Sequence, residues 1–258
     1  MIHEPPEYAS LVRYSTHRRT WAQNKDVSVL PPDYDTDPER FLSNTRWPHD
    51  DVHPYVAERL SQFRANRVLD VGGGHGALTR LLPNLGMQGV LLDISPTMLA
   101  LGPRPAIRAD GARLPLADST FDAVAALYTL YHYEDPLVPI KECRRVLQRG
   151  GLFVACSANR DSTPELSDVL PLWGQPGTFD GEDSPSIVAS VFDAPGDQVE
   201  VVRWDAPMHT LADPGYAAAF LRTMGMSDDG ATATAGQLDL PMTLTMRGCF
   251  VYATKVDR

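Results

Sequence analysis

A chain of 258 residues, 43% hydrophobic and 22% charged, is long enough to bury a substantial core and sits at the upper end of single α/β domains. Its formal charge of -10 argues against a nucleic-acid partner, because a phosphate backbone is held by clustered cations. The adjacent pairs Arg18-Arg19 and Arg144-Arg145 read as solvated surface. Cys143, Cys156 and Cys249 lack metal-ligand spacing, so no metal is expected, and they read as buried thiols of a reducing compartment. No apolar stretch is long enough to span a bilayer, and Met1 to Pro6 is not a signal peptide. A cytoplasmic protein is expected, with oligomeric state left open.

Residues 1–50 differ in character from the remainder of the chain. Pro5, Pro6, Pro31, Pro32, Pro38 and Pro48 remove backbone donors and disfavour long elements. Yet Tyr8, Tyr14, Trp21, Tyr34, Phe41 and Trp47 make the segment too aromatic for a disordered tail. It is read as an arm or lid folded over the C-terminal edge of a sheet within residues 51–258, or as an arm that only shields the core. A short helix over Leu11 to Ala22 places Tyr14, His17, Arg18 and Trp21 on one face. Tyr14, His17 and Trp21 are candidate substrate contacts, or anchors of the arm.

Asp51 to Ala65 has the apolar spacing of an amphipathic helix and leads into the strand Arg67 to Val71. Gly72, Gly73, Gly74 and Gly76 come at once, two residues after Asp70, and Ala77 to Leu82 reads as the start of a helix. Such a turn lets a ligand approach bare backbone. A dinucleotide site usually spaces its third glycine differently. The alternation of Gly72, Gly74 and Gly76, with Asp70 beside them, suits a ligand bearing a cationic amino-acid tail. S-adenosylmethionine is the leading reading; a nucleotide site or a structural turn is the alternative.

Gly89 to Asp93 is a second strand ending in a carboxylate, nineteen residues after Gly74. Asp93 is placed to accept from ribose hydroxyls, or is a plain cap aspartate. Ser95-Pro96 reads as an N-cap with proline at the first helical position, and Ile94, Met98 and Leu99 lie beside it. Ala106 to Asp110 is a third short strand. Asp110 can accept from an exocyclic amine, and the amide of Gly111 can read a ring nitrogen. Asp122 to Leu127 is continuously apolar, as in a parallel strand covered on both faces.

Asp135-Pro136 opens a helix closed by Gly150-Gly151, and Leu152 to Cys156 is the fifth strand. Residues 157–198 form a variable, substrate-side insertion with a helix from Ser184 to Phe192. Val199 to Trp204 is strand six, Pro214 to Met224 a helix, and Thr243 to Thr254 a long last strand. The alternation of strands and helices implies a doubly wound α/β sheet with helices on both faces.

Four stretches, Val68 to Leu78, Gly89 to Leu99, Ala109 to Asp122 and Arg144 to Val154, resemble the class I S-adenosylmethionine-dependent methyltransferases, in particular the small-molecule group of the ubiquinone and menaquinone enzymes. The resemblance covers roughly residues 52 to 156. It implies a Rossmann-like, seven-stranded, mostly parallel sheet whose last strand inserts antiparallel beside the fifth. It also implies that Gly72, Gly73 and Gly74, with Asp70, hold the methionine portion. Asp93 with Ile94 and Met98 would take the ribose and adenine side, Asp110 and Gly111 the adenine, and the backbone near Leu127 the methionine amine. His75 stands where the family often carries a small or polar residue.

Methyl transfer from a sulfonium is an in-line displacement that needs alignment and a dry site more than acid-base machinery. A base contributes about 10²–10⁴-fold where the acceptor must lose a proton. His132, after the fourth strand, is the first candidate for that base or for orienting the acceptor, against a packing role. Tyr128, Tyr131 and Tyr133 can offer π faces to the sulfonium, hydroxyls to the acceptor, or walls. The expected activity is methyl transfer to a small molecule of a specialised biosynthetic pathway, leaving S-adenosylhomocysteine. Non-transfer chemistry on the same cofactor, a peptide acceptor and a non-catalytic binding role are the other readings.

Overall fold

The computed structural model describes residues 34–35, 52–169 and 179–256. In chain order the strands are β1 (Arg67–Val71), β2 (Gln88–Asp93), β3 (Ala106–Arg108), β4 (Phe121–Leu127), β5 (Leu147–Ala158), β6 (Gln198–Leu211) and β7 (Met242–Thr254). They form one seven-stranded sheet ordered β3-β2-β1-β4-β5-β7-β6. The pairings among β1 to β5 are parallel. β7 runs antiparallel between β5 and β6, opposing Cys156 with Phe250 and Val202 with Phe250. The strand order reverses at the boundary of β1 and β4, where an open α/β sheet leaves a crevice at its carboxyl edge.

Continuous apolarity in the central strands reflects cover on both faces. Val68, Ala125, Val154 and Phe250 face α1 (Val52–Gln62), whose Val56 and Leu60 are fully buried. Leu69, Val124, Phe153 and Val251 face the opposite way, against Ile140 and Cys143 of α3 (Leu137–Val146). α2 (Pro96–Leu101) packs beside β2, and α4 (Ser184–Ala189) lies against β7. Each fully buried leucine here contributes about 1.5–3 kcal/mol by leaving water. A separate core joins α5 (Pro214–Thr223) and α6 (Asp228–Ala235) to Leu211, Leu244 and Leu166. All three cysteines are buried and free.

Three local expectations differ from the structure. Residues 77–81 form turns leading to a 3-10 helix at Leu82–Leu85, not an α-helix. Pro83 has no N–H for an i−4 carbonyl and restricts Leu82, and Gly86 then reverses the chain at φ 76. The helix after Pro136 ends at Val146, and Gly150-Gly151 belongs to an irregular start of β5 rather than to a helix cap. Gly150 has φ 74, and the register with β4 shifts between Phe121 and Ala123. Arg144 and Arg145 are built into the fold rather than solvated. Arg144 pairs with Asp197 at 2.9 Å, and the Asp197 side chain is wholly buried. Arg145 donates to Glu142, Asp118 and the carbonyls of Leu114 and Leu116. Sequence order hid these partners, which come from segments distant in the chain. The segment 1–33, with Tyr14, His17 and Trp21 and the expected helix over Leu11 to Ala22, lies outside the described residues. α6, between α5 and β7, is an element beyond those expected, because it is short and only weakly amphipathic. Its N-cap Ser227 accepts from the Gly230 amide at 3.3 Å.

Candidate functional site

The loops after β1, β2, β3 and β4 converge at the carboxyl edge. The turn after β1 adopts left-handed backbone at Gly72 (φ 64), Gly74 (φ 56) and Gly76 (φ 83). A Cβ at Gly72 would fall 2.0 Å from the Thr129 hydroxyl oxygen, so this glycine lets the turn after β1 touch the turn after β4. A Cβ at Gly73 would fall 2.5 Å from the Asp70 carboxylate, and the Gly73 N–H donates to the Leu92 carbonyl at 3.2 Å. A Cβ at Gly74 would meet nothing within 4 Å. That glycine faces open space at the crevice.

Asp70 lies beneath this loop at 2% exposure and accepts from the Thr79 hydroxyl at 2.7 Å. Burial raises its pKa above the ordinary aspartate value, against the lowering effects of the Thr79 bond and of His53. Its place is under the glycine turn, fixing it, and not on the open side.

Asp93 ends β2, half-buried. One carboxylate oxygen accepts the Gly74 N–H at 2.8 Å, and the other accepts the Ser95 N–H at 2.9 Å. Each oxygen keeps a further acceptor site. Ser95 caps α2 by accepting from the Met98 N–H at 3.1 Å. Met98 is buried at 3% exposure, while Ile94 stands out at 64%. Ile94 is therefore the one of the two that can meet a ligand with its side chain, and Met98 supports from below.

After β3, the Asp110 carboxylate accepts from the Ala112 N–H at 2.8 Å and Asp110 is exposed. Gly111 is buried, and a Cβ there would sit 2.5 Å from the Tyr133 hydroxyl. Burial pushes that hydroxyl up to about 12, with the Asp110 charge adding to the effect. The loop is held from behind by Arg145 and by Glu142, which accepts the Leu114 N–H at 2.8 Å.

Leu127 ends β4, and Tyr128 comes next with φ 52, a left-handed conformation uncommon outside glycine. Its N–H donates to the Cys156 carbonyl at 3.0 Å. A 3-10 turn then carries Leu130–His132. His132 Nε2 lies 2.9 Å from the hydroxyl of Tyr34, with the two rings edge to face at 5.6 Å between centroids. The Tyr131 ring lies 4.4 Å from the imidazole, and burial holds the Tyr131 hydroxyl protonated well above its usual range. Although His132 is exposed at its rim, the protein around the ring lowers its pKa; the charge of Asp93 opposes this. The lowering favours the neutral imidazole.

Two contacts at this edge were missed in the sequence. Tyr34 and Asp35 sit in an acidic, proline-bearing stretch that does not encode which residues it meets. The Asp35 carboxylate lies against the Ser95 hydroxyl at 2.5 Å and the Thr97 N–H at 3.4 Å. At the end of β5, Ser157 Oγ and Asn159 Oδ1 are buried without a hydrogen-bond partner. Polar residues closing the apolar run Leu152 to Cys156 were the available signal. Around them, ion pairs of Arg160 with Asp180 and Asp183, and of Arg247 with Asp161 and Asp205, fold the segment after β5 over the carboxyl edge. A groove of about 560 Å³ lined by Lys141, Arg145 and Lys255 lies at the opposite, amino edge and is not part of this arrangement. Among the described residues no group of His, Cys, Asp and Glu suits a metal ion, and no helix is long and apolar enough to cross a membrane.

Open space over Gly74, glycine backbone with no Cβ, and the free acceptor sites of Asp93 lie together at the switch point. Residues 69–155 match the family model described as a methyltransferase domain. A demethylmenaquinone methyltransferase of Corynebacterium urealyticum is 40% identical over 114 residues, covering 43% of this chain and 50% of that protein. A ubiquinone biosynthesis O-methyltransferase of Xanthomonas oryzae pv. oryzae is 33% identical over 116 residues, covering 41% and 48%. The chain thus spans about half the length of the curated relatives it matches. Among solved structures, the [4+2]-cyclase SpnF shares the fold with a TM-score of 0.59 at 18% identity, over 87% of this chain and 95% of that one. Residues 69–155 thus resemble a methyltransferase domain, set within this seven-stranded sheet.

Proposed function

We propose that this chain transfers a methyl group from S-adenosylmethionine to a small-molecule acceptor. The observation that carries the reading is the Asp93 carboxylate, held by the Gly74 and Ser95 amides at the carboxyl end of β2, facing the crevice beside an unobstructed glycine. In this reading Gly72, Gly73 and Gly74 hold the methionine portion and Asp70 fixes their turn from below. Asp93 receives the ribose, Ile94 covers the adenine, and Asp110 and Gly111 read its edge. The carbonyl end of β4 at Leu127 takes the amine.

When bound, the sulfonium supplies an activated methyl group for in-line displacement. The chain's own residues bind, orient and dry the site. Tyr128, set by its left-handed backbone, and Tyr131 wall the methyl side. His132 orients the acceptor through its Nδ1–H, or takes its proton at Nε2 by relay through the Tyr34 hydroxyl. Ser157, whose buried hydroxyl lacks a hydrogen-bond partner at the end of β5, is proposed to meet a polar group of the acceptor. The contacts of Tyr34 and Asp35 support reading residues 1–50 as an arm over this edge and 51–258 as the catalytic unit. Tyr14, His17 and Trp21 are its proposed acceptor contacts. The relatives named for quinone biosynthesis support a small cyclic acceptor. The charge of -10 supports a protein that works away from nucleic acid and membrane surfaces, in the cytoplasm.

The test is incubation of the purified protein with methyl-labelled S-adenosylmethionine and a panel of phenols, quinols, enolisable carbonyls, amines and basic peptides. A small-molecule product heavier by one CH₂ is expected. A product of unchanged mass, or label on peptide alone, would contradict the proposal.

A further inference from the structure

The two consecutive residues Tyr34 and Asp35 reach opposite rims of the crevice. Tyr34 meets His132, in the turn after β4, at 2.9 Å. Asp35 meets Ser95 at 2.5 Å and Thr97 at 3.4 Å, at the first turn of the helix just beyond Asp93. The Asp35 carbonyl also accepts from the Thr97 hydroxyl at 3.4 Å. One dipeptide therefore contacts both the helix start after β2 and the turn after β4.

We propose that Tyr34–Asp35 is a two-point strap over the donor crevice, and that Tyr34 is a positioning residue that fixes the tautomer in which His132 meets the acceptor. The Tyr34 O–H donates to His132 Nε2, so the imidazole proton resides on Nδ1. A free neutral imidazole has no such constraint and exchanges the proton between its two nitrogens. Asp35 gives the strap its second foot: a carboxylate at the start of α2 accepts from the Ser95 hydroxyl and the Thr97 amide. With both feet placed, the phenol hydroxyl is held at the imidazole instead of turning to water. Among the described residues, the ring meets Tyr34 from the strap and Tyr131 from its own turn, and feels the charge of Asp93 from the end of β2. Tyr34 stabilises the neutral ring, because its hydroxyl donates to a nitrogen that must itself become a donor when protonated.

This inference deepens the proposed function and rests on it for the meaning of His132, but its test needs no acceptor. Nitrogen-15 histidine spectra of the full chain, recorded with S-adenosylhomocysteine as the probe, report tautomer and titration midpoint. The His132 signals are identified by their loss in His132→Gln. In the wild-type protein the Nδ1–H form is expected to dominate. In Tyr34→Phe, which keeps the ring, the pattern shifts toward Nε2–H and the midpoint rises by about half a pH unit. Asp35→Asn shifts both in the same direction by less. A wild-type ring protonated on Nε2, or identical spectra and midpoints in wild type and Tyr34→Phe, overturns the assignment. Calorimetry with S-adenosylhomocysteine on the same samples separates the two readings. Loss of that binding in the wild type sinks the proposed function, while the tautomer spectra decide the strap by themselves.

Discussion

The Asp93 carboxylate and the Gly74 amide, nineteen residues apart in the chain, meet at 2.8 Å. This bond joins the loop after β1 to the end of β2, the two segments that a nucleoside at the switch point must touch. It also orients the carboxylate, because the Ser95 amide holds the other oxygen. An aspartate clamped by two backbone donors presents its remaining acceptor sites in one direction, with little ordering left for a ligand to impose.

The glycines of the turn separate stability from binding. Gly72→Ala forces a side chain onto Thr129 at φ 64, and is expected to destabilise the fold by more than about 2 kcal/mol. Gly74→Ala meets open space at φ 56, and is expected to cost only about 1 kcal/mol. Its Cβ intrudes on the crevice, so S-adenosylhomocysteine affinity falls at least tenfold. Thermal melts and calorimetry on both variants check the contrast. Equal effects on stability, or unchanged affinity in Gly74→Ala, would count against this placement.

Asp70 gives a pH dependence of known sign. Its folded pKa is raised, so its contribution favours folding below the ordinary aspartate value of 3.8 and is lost as pH rises through the raised folded value. Ionisation of the buried carboxylate as pH rises opposes folding. Asp70→Asn, which retains an acceptor for Thr79, is expected to melt higher than wild type at pH 7, with the gain shrinking as pH falls toward 4. Melts of the two proteins across that range measure it; a gain that grows on acidification would reverse the sign.

Asp197 carries much of the anchoring at the amino edge. Its buried carboxylate accepts from Arg144 at 2.9 Å and from the Val256 amide at 2.6 Å. Asp197→Ala removes the buried acceptor shared by the Arg144 guanidinium and the Val256 and Ala194 amides, and should cost about 2–4 kcal/mol. Because the site lies at the other end of the strands, donor affinity measured well below the melting temperature is expected to stay within about twofold.

Arg145 ties the adenine-side loop to α3 through two carbonyls and two carboxylates. A lysine cannot reproduce that planar fork. Arg145→Lys should therefore weaken S-adenosylhomocysteine binding by about three- to tenfold, through loosening of the segment around Asp110 and Gly111. Affinity unchanged alongside an unchanged melting temperature would show that the loop is held otherwise.

The parts of this molecule legible in the sequence are those governed by local chemistry. Continuous apolar runs such as Asp122 to Leu127 mark strands covered on both faces. The turn Gly72 to Gly76 marks a close backbone approach, and Ser95-Pro96 marks a helix start whose cap bond is present. What escaped depends on partners remote in the chain. Arg144 and Arg145 read as surface because Asp197, Asp118 and the Leu114 carbonyl are brought to them only by the sheet. The helix expected after Gly76 failed for a local reason, Pro83, that periodicity outweighed. Tyr34 and Asp35 could not be tied to His132 and Ser95, since nothing within the arm encodes which residues it meets. The antiparallel place of β7 came from family resemblance, as periodicity carries no strand direction.

The central claim is that Asp93 and the glycine turn hold a sulfonium nucleoside at the carboxyl edge. Calorimetric titration of S-adenosylhomocysteine into wild type and Asp93→Ala tests it most directly. The wild type should bind one equivalent per chain, and the variant should bind at least tenfold more weakly with an unchanged melting temperature within a few degrees. Equal binding by both proteins, or no heat from either, would contradict the account.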